Sequence, residues 1–74
     1  MSDQTLDLRG LKCPLPALRA KKALGTMASG DLLTLECTDP LTAIDIPNLC
    51  RETGHKLDGK SSEGGVLIYK IRKK

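Results

Sequence analysis

The sequence contains no tryptophan and no phenylalanine, and its single aromatic residue is Tyr69. The core must therefore be built from leucine, isoleucine, valine, alanine and methionine. The same lack removes the aromatic platforms on which single-stranded nucleic acids stack. A chain of this size buries only about 60% of the surface that it exposes when unfolded. We therefore expect one domain over residues 1–74.

Long apolar runs are also missing. No stretch approaches the roughly 18 consecutive apolar residues of a membrane-spanning helix, and residues 1–4 do not begin a basic segment followed by an apolar one. We expect neither membrane insertion nor export, and hence a cytoplasmic protein. The formal net charge of +3 is mild, so it is weak support for nucleic-acid binding.

The cysteines are too few and too widely spaced for a disulfide framework. Cys13, Cys37 and Cys50 form an odd set without a C-x-x-C pair, which argues against disulfides and a closed zinc site, and we expect no cofactor. Cys37 falls on the apolar face of the second strand and is interpreted as a core residue. Cys50 lies near the end of the second helix, where the dipole disfavours a thiolate, and is also interpreted as a core residue. The single histidine, His55, follows Gly54 beyond a predicted helix end, where an imidazolium would be favoured by the helix dipole.

Hydrophobic periodicity predicts the element order βαβαββ. The second helix is the least regular element: residues 42–45 have the form of a capping box, but Pro47 would interrupt a helix, so we expect its regular part to begin near Asp45 and to end at Gly54. The fold class is α+β: a two-layer sandwich with two helices on one face of a mixed four-stranded sheet. The predicted strands are 5–9, 32–38, 55–62 and 66–72, and the first helix is 14–27.

The run Cys13-Pro14-Leu15-Pro16 places a thiol at the start of the first helix. Proline is favoured at the first helical position, so Cys13 falls on or next to the N-cap. Because prolines carry no N–H, mainly the amides of Leu15 and Ala17 would face the sulfur, and the helix dipole would lower the pKa of the thiol. A buried, inert Cys13 is the alternative. Arg9, Lys12 and Arg19 lie close in sequence and would form a basic rim around an anionic persulfide. The exposed side of the first helix, with Arg19 and Lys22, would meet an acidic partner, so all four cations are expected to bind partners.

Residues 8–16, Leu-Arg-Gly-Leu-Lys-Cys-Pro-Leu-Pro, resemble the TusA-like (SirA-like) family of sulfur carriers, whose specific motif is Cys-Pro-x-Pro. Residues 38–40, 45–47 and 50–55 resemble the family as well. The resemblance implies a βαβαββ fold and a cysteine, here Cys13, that accepts sulfane sulfur from a desulfurase-type or rhodanese-type donor and passes it to an acceptor protein. Family acceptors serve tRNA thiolation, oxidative sulfur metabolism or uptake of sulfur compounds, and the motif does not choose among them.

On this reading the chain is a sulfurtransferase that works as a monomer in transient complexes, without stable nucleic-acid binding. Two other functions stay open from the residues. A helices-on-sheet sandwich with positive charge can bind RNA or protein through its open sheet face, although the single aromatic speaks against RNA. A thiol redox protein using Cys13 and Cys50 would form a disulfide between them under mild oxidation.

Overall fold

The computed structural model describes residues 3–74 and has the predicted element order βαβαββ. The sheet order is β1-β2-β4-β3, with β1 and β2 parallel and the other neighbours antiparallel. The predicted fold class is therefore confirmed. The elements are β1 (Gln4–Leu8), α1 (Leu15–Gly25), β2 (Leu32–Cys37), α2 (Thr42–Thr53), β3 (Lys56–Glu63) and β4 (Val66–Arg72).

The core lies between the two helices and one face of the sheet. Alternation along β2 turns Leu33, Leu35 and Cys37 to this face, where all three are fully buried. The helices cover them with apolar residues at helical spacing, such as Leu24 of α1 and Ile46 of α2. The period-two and helical patterns therefore identify the buried faces of β2 and of the helices. The expectation of a core without aromatic residues is wrong, because Tyr69 is 2% exposed and belongs to the core cluster.

The start of α2 differs from the prediction. The helix begins at Thr42 rather than near Asp45, and the capping box is wrong because no side chain caps the N-terminus. The Thr42 hydroxyl instead donates to the Asp39 carbonyl at 2.7 Å and shares a hydrogen bond of 2.9 Å with the Tyr69 hydroxyl. These buried contacts fix the first residue of α2 to the sheet.

Pro47 lies inside α2 without ending it. Its missing N–H removes the hydrogen bond that the Ala43 carbonyl would accept, and Ala43 is exposed, so water can replace the donor. The helix ends as predicted: Gly54 has a positive φ of 81°, and its N–H donates to the Cys50 carbonyl at 2.9 Å.

Other element ends are shifted by one or two residues. β1 stops at Leu8, and the next residue, Arg9, folds back to bond Asp7 through its backbone N–H and guanidinium. α1 stops at Gly25, although Met27 is still buried. The last two strands form the predicted antiparallel hairpin, and neither helix in residues 3–74 is long and apolar enough to cross a membrane.

The expected imidazolium at His55 is wrong. Nδ1 of His55 accepts the backbone N–H of Lys74 at 3.0 Å, which requires an unprotonated Nδ1. Desolvation, followed by the charges of Lys73 and Lys74, lowers the pKa of His55. The histidine thus ties the chain end to the loop after α2 in its neutral form.

Replacing Gly54 with alanine should destabilise the protein by about 1 kcal/mol, because the left-handed conformation is unfavourable for a side chain. Gly25→Ala is the matched control: nothing lies within 4 Å of a Cβ there and its φ is not positive. It should stabilise by about 0.5 kcal/mol. Urea unfolding followed by circular dichroism measures the free energy of unfolding of both variants. Equal effects of the same sign would contradict the left-handed conformation of Gly54.

Candidate functional site

Cys13 lies in the loop between β1 and α1. Because β1 and β2 are parallel and Leu8 pairs with Cys37 at their carboxyl ends, the loops that follow both strands leave the same edge of the sheet. The two loops bond directly, since the Gly10 N–H donates to the Thr38 hydroxyl at 2.8 Å. The site is therefore formed by segments far apart in sequence.

A carboxylate fixes the backbone at Cys13. Asp39 accepts the Cys13 N–H on Oδ2 at 2.7 Å and the Leu41 N–H on Oδ1 at 3.0 Å. These two hydrogen bonds, in that order, hold the pKa of Asp39 below its ordinary value. Asp39 therefore joins the cysteine loop to the segment that enters α2.

A second carboxylate contacts the sulfur itself. The exposed Cys13 thiol donates from Sγ to Oδ2 of Asp45, in the first turn of α2, at 2.6 Å. This hydrogen bond, then desolvation, then the charges of Asp45 and Asp39 raise the pKa of Cys13. At rest the sulfur is a thiol held by a carboxylate.

The expected lowering of the Cys13 pKa is therefore wrong. Cys13 directly precedes the N-cap residue Pro14, as predicted, but the Leu15 N–H donates to the Lys12 carbonyl at 2.9 Å and so does not face the sulfur. The groups acting on Sγ are carboxylates of another element. The sequence does not identify Asp45 as a site residue, because residues 42–45 have the form of a capping box, in which this carboxylate would bond the helix start.

The remaining motif residues shape the start of α1. The Cys13–Pro14 peptide bond is cis, Pro16 is buried in the first turn, and Ala17 packs partly against the core. The Pro14 carbonyl accepts the N–H of Leu18 at 3.1 Å. Cys13 is thus placed immediately before a helix whose first turn is anchored in the core.

The four predicted cations are not gathered around the sulfur. Lys12 lines the same cleft as Cys13, a cavity of about 530 Å³ between residues 10–13 and 38–41. Arg19 and Lys22 line a separate groove of about 690 Å³ between α1 and β1. Arg9 is bonded to Asp7 at 2.8 and 2.9 Å. A continuous basic rim is therefore not formed.

Exposed apolar residues occur near the starts of both helices. The exposed fractions are 46% for Leu15 and 56% for Leu18 on α1, and 52% for Leu41 and 61% for Ile44 at the start of α2. Leu41 lines the Cys13 cleft, and Ile44 precedes Asp45. Leu15 and Leu18 line the groove that also contains Arg19 and Lys22. Exposed apolar side chains of this kind favour contact with another protein.

The other two cysteines are buried, as predicted. Burial raises the pKa of Cys37 to about 11 and raises that of Cys50. Cys50 is 4% exposed. No group of three or more histidine, cysteine, aspartate or glutamate side chains in residues 3–74 is arranged to hold a metal ion. Of the chain's three thiols, Cys13 alone is exposed.

Known proteins resemble the chain over nearly its whole length. The family model described as "Sulfurtransferase TusA" matches residues 4–73. A Neisseria meningitidis protein with the proposed role of a sulfur carrier is 49% identical over 74 residues, all of both chains. The sulfur carrier protein TusA of Allochromatium vinosum is 45% identical over 71 residues, covering 96% of this chain and 93% of that one. The crystal structure of a SirA-like protein from Desulfitobacterium hafniense superposes with a TM-score of 0.83 at 25% identity, covering 93% and 95% of the two chains.

We expect iodoacetamide to label Cys13 alone in the folded protein, because Cys37 and Cys50 are buried. The labelling of Cys13 at pH 7 should be slower than that of the same cysteine in urea, since the thiolate is the reacting species and the fold raises the thiol pKa. Peptide mapping by mass spectrometry measures both rates. Faster labelling of Cys13 in the folded chain would contradict the raised pKa.

Proposed function

The chain belongs to the sulfurtransferase TusA family, and from that membership we propose that it carries sulfane sulfur as a persulfide on Cys13 and relays it between two proteins. The observation that supports this proposal most directly is the exposure of the Cys13 thiol, while the other two thiols are buried. An exposed cysteine on an anchored helix start can reach the active site of a second protein.

Two exchange steps make up the relay. The Cys13 thiolate attacks the outer sulfur of a donor persulfide, so that a new sulfur–sulfur bond forms on Cys13 while the donor's bond breaks and its inner sulfur leaves as a thiolate. A thiolate of the acceptor then attacks the outer sulfur of the Cys13 persulfide and releases Cys13. Neither step needs an external oxidant or reductant, because one sulfur–sulfur bond replaces another.

The proposed partners are a donor of the desulfurase or rhodanese type and an acceptor protein, bound one at a time. Four exposed residues near the starts of the two helices, here called the apolar patch, supply contact area: Leu15, Leu18, Leu41 and Ile44. Arg19 and Lys22, in the neighbouring groove, would attract a partner with acidic residues. The apolar patch and the groove between α1 and β1 together form the proposed partner surface. Transient complexes on this surface suit a carrier that must be released after each transfer.

No specific observation favours the two alternatives. A redox pair with Cys13 needs a second accessible thiol, and Cys50 is 4% exposed. RNA binding on the open sheet face needs stacking groups, and the aromatic ring of Tyr69 is turned into the core, where the residue is 2% exposed. We infer the cytoplasm as the compartment, because the proposed exchange needs Cys13 as a reduced thiol and thiols stay reduced there.

Cys13→Ser should abolish sulfur loading and leave the fold intact, because the side chain is exposed. The reduced protein is incubated with a cysteine desulfurase and cysteine, or with a rhodanese and thiosulfate, and analysed by intact mass spectrometry. The wild-type chain should gain about 32 Da, removable by reductant and confined to the Cys13 peptide, as expected for one added sulfur. Cys50→Ala is the control and should load normally. Loading of the Cys13→Ser variant, or of Cys50, would overturn the proposal.

Reversing the charges of Arg19 and Lys22 to glutamate should slow loading from a protein donor by about tenfold at low salt, since charges at the rim of an interface act mainly on association. The effect should shrink as salt is raised. The pair Lys56→Glu and Lys70→Glu, on β3 and β4, changes the net charge by the same amount and is the matched control, which should have little effect. The rate of sulfur loading at subsaturating donor measures the effect. Equal rates for the wild-type chain, the variant of Arg19 and Lys22 and the control would exclude the groove from the partner surface.

A further inference from the structure

We propose that Asp45 is a catalytic residue of sulfur loading: its Oδ2 accepts the hydrogen bond of the Cys13 thiol at rest and takes the proton as the sulfur–sulfur bond forms. The inference rests on the proposed persulfide function, and it adds a proton acceptor supplied by the second helix. The observation behind it is the direct contact of 2.6 Å between Sγ of Cys13 and Oδ2 of Asp45. A proton acceptor must lie within hydrogen-bond reach of the proton it takes, and this contact meets that condition.

The position of Asp45 is determined by buried structure. It lies one turn beyond Thr42, whose hydroxyl is bonded to the Tyr69 hydroxyl and the Asp39 carbonyl. Its neighbour Ile46 is fully buried in the core. A carboxylate on a helix anchored in this way keeps its distance to the sulfur without a hinge.

The backbone of Cys13 is also held in place by a hydrogen bond. The Cys13 N–H donates to Asp39, just before α2, at 2.7 Å. The main chain of the cysteine is therefore bonded to one carboxylate and its side chain to another, that of Asp45 on α2. The charged groups at the sulfur are thus Asp45 and Asp39, and Lys12 lines the same cleft and acts on Asp39. Asp39 bonds backbone N–H groups, which leaves Asp45 as the group that touches Sγ.

In the proposed step, the Cys13 thiol reacts with a donor persulfide R–S–SH. Asp45 takes the proton from the Cys13 thiol, the sulfur attacks the outer sulfur of the donor, and the donor's sulfur–sulfur bond breaks with its electron pair on the inner sulfur. The proton held on Asp45 then neutralises the leaving R–S⁻. The products are the Cys13 persulfide and R–SH, with no net oxidation or reduction.

The carboxylate of Asp45 should affect the reaction of Cys13 with a small electrophile and its reaction with a docked donor in opposite directions. Against a small electrophile in water, a neighbouring carboxylate only opposes the thiolate and slows the reaction. Against a docked donor that excludes water, the same carboxylate removes the proton in the transition state and speeds the reaction. A purely electrostatic Asp45 would slow both reactions, so the two rates distinguish a proton acceptor from a neighbouring charge.

The test is Asp45→Asn, which keeps the shape of the side chain and removes the proton acceptor. We expect faster iodoacetamide labelling of Cys13 at pH 7 than in the wild-type chain, together with loading at saturating desulfurase slowed by about a hundredfold. Asp58→Asn, which removes a carboxylate on β3, is the control and should change neither rate at Cys13. Circular dichroism confirms that each variant is folded.

The outcomes are distinct. If the wild-type chain takes up no sulfur, the proposed function fails and the role of Asp45 fails with it. If the wild-type chain loads but Asp45→Asn loads as fast or faster, only the role of Asp45 is overturned. Should Asp45→Asn not fold, Asp45→Glu makes the same test, because it keeps the charge and displaces the oxygen: loading should fall while labelling stays slow, and unchanged loading would overturn the inference.

Discussion

The hydrogen bond from the Cys13 N–H to the Asp39 carboxylate is the contact on which the site depends. It joins residues 26 apart in sequence, and it does so at the edge where two parallel strands end. Since Asp39 also accepts the Leu41 N–H, one side chain sets the cysteine loop against the start of α2. Without that connection, the sulfur and Asp45 would lie on separately moving segments.

The rest of the architecture supports this connection. The core residues of β2 hold the sheet against both helices, and the Thr42–Tyr69 hydrogen bond fixes the residue from which α2 begins. A buried hydroxyl pair of this kind is favourable because each partner satisfies the other, whereas either one alone would cost the free energy of its lost hydration. The geometry around Cys13 is thus set by the hydrogen bonds between the two loops together with the buried contacts that position α2.

Much of the fold could be predicted from local patterns, and the site could be predicted only in part. The alternation of Leu33, Leu35 and Cys37 identifies the buried face because neighbouring residues alone determine it. The motif predicts Cys13 as the candidate site residue, and its thiol is exposed in the structure. The start of α2 and the direction of the Cys13 pKa could not be predicted, because both depend on contacts between residues 27 and 32 apart, Thr42 with Tyr69 and Cys13 with Asp45.

Tyr69 gives the protein a built-in optical reporter. It is the only tyrosine of a chain without tryptophan or phenylalanine, so the near-ultraviolet absorption and intrinsic emission come from one phenol. That phenol is bonded to the first residue of the helix that carries Asp45. A shift of α2 against the sheet, as when a partner or an added sulfur presses on the cleft, would change the surroundings of this ring, and the spectrum would register it without any attached label.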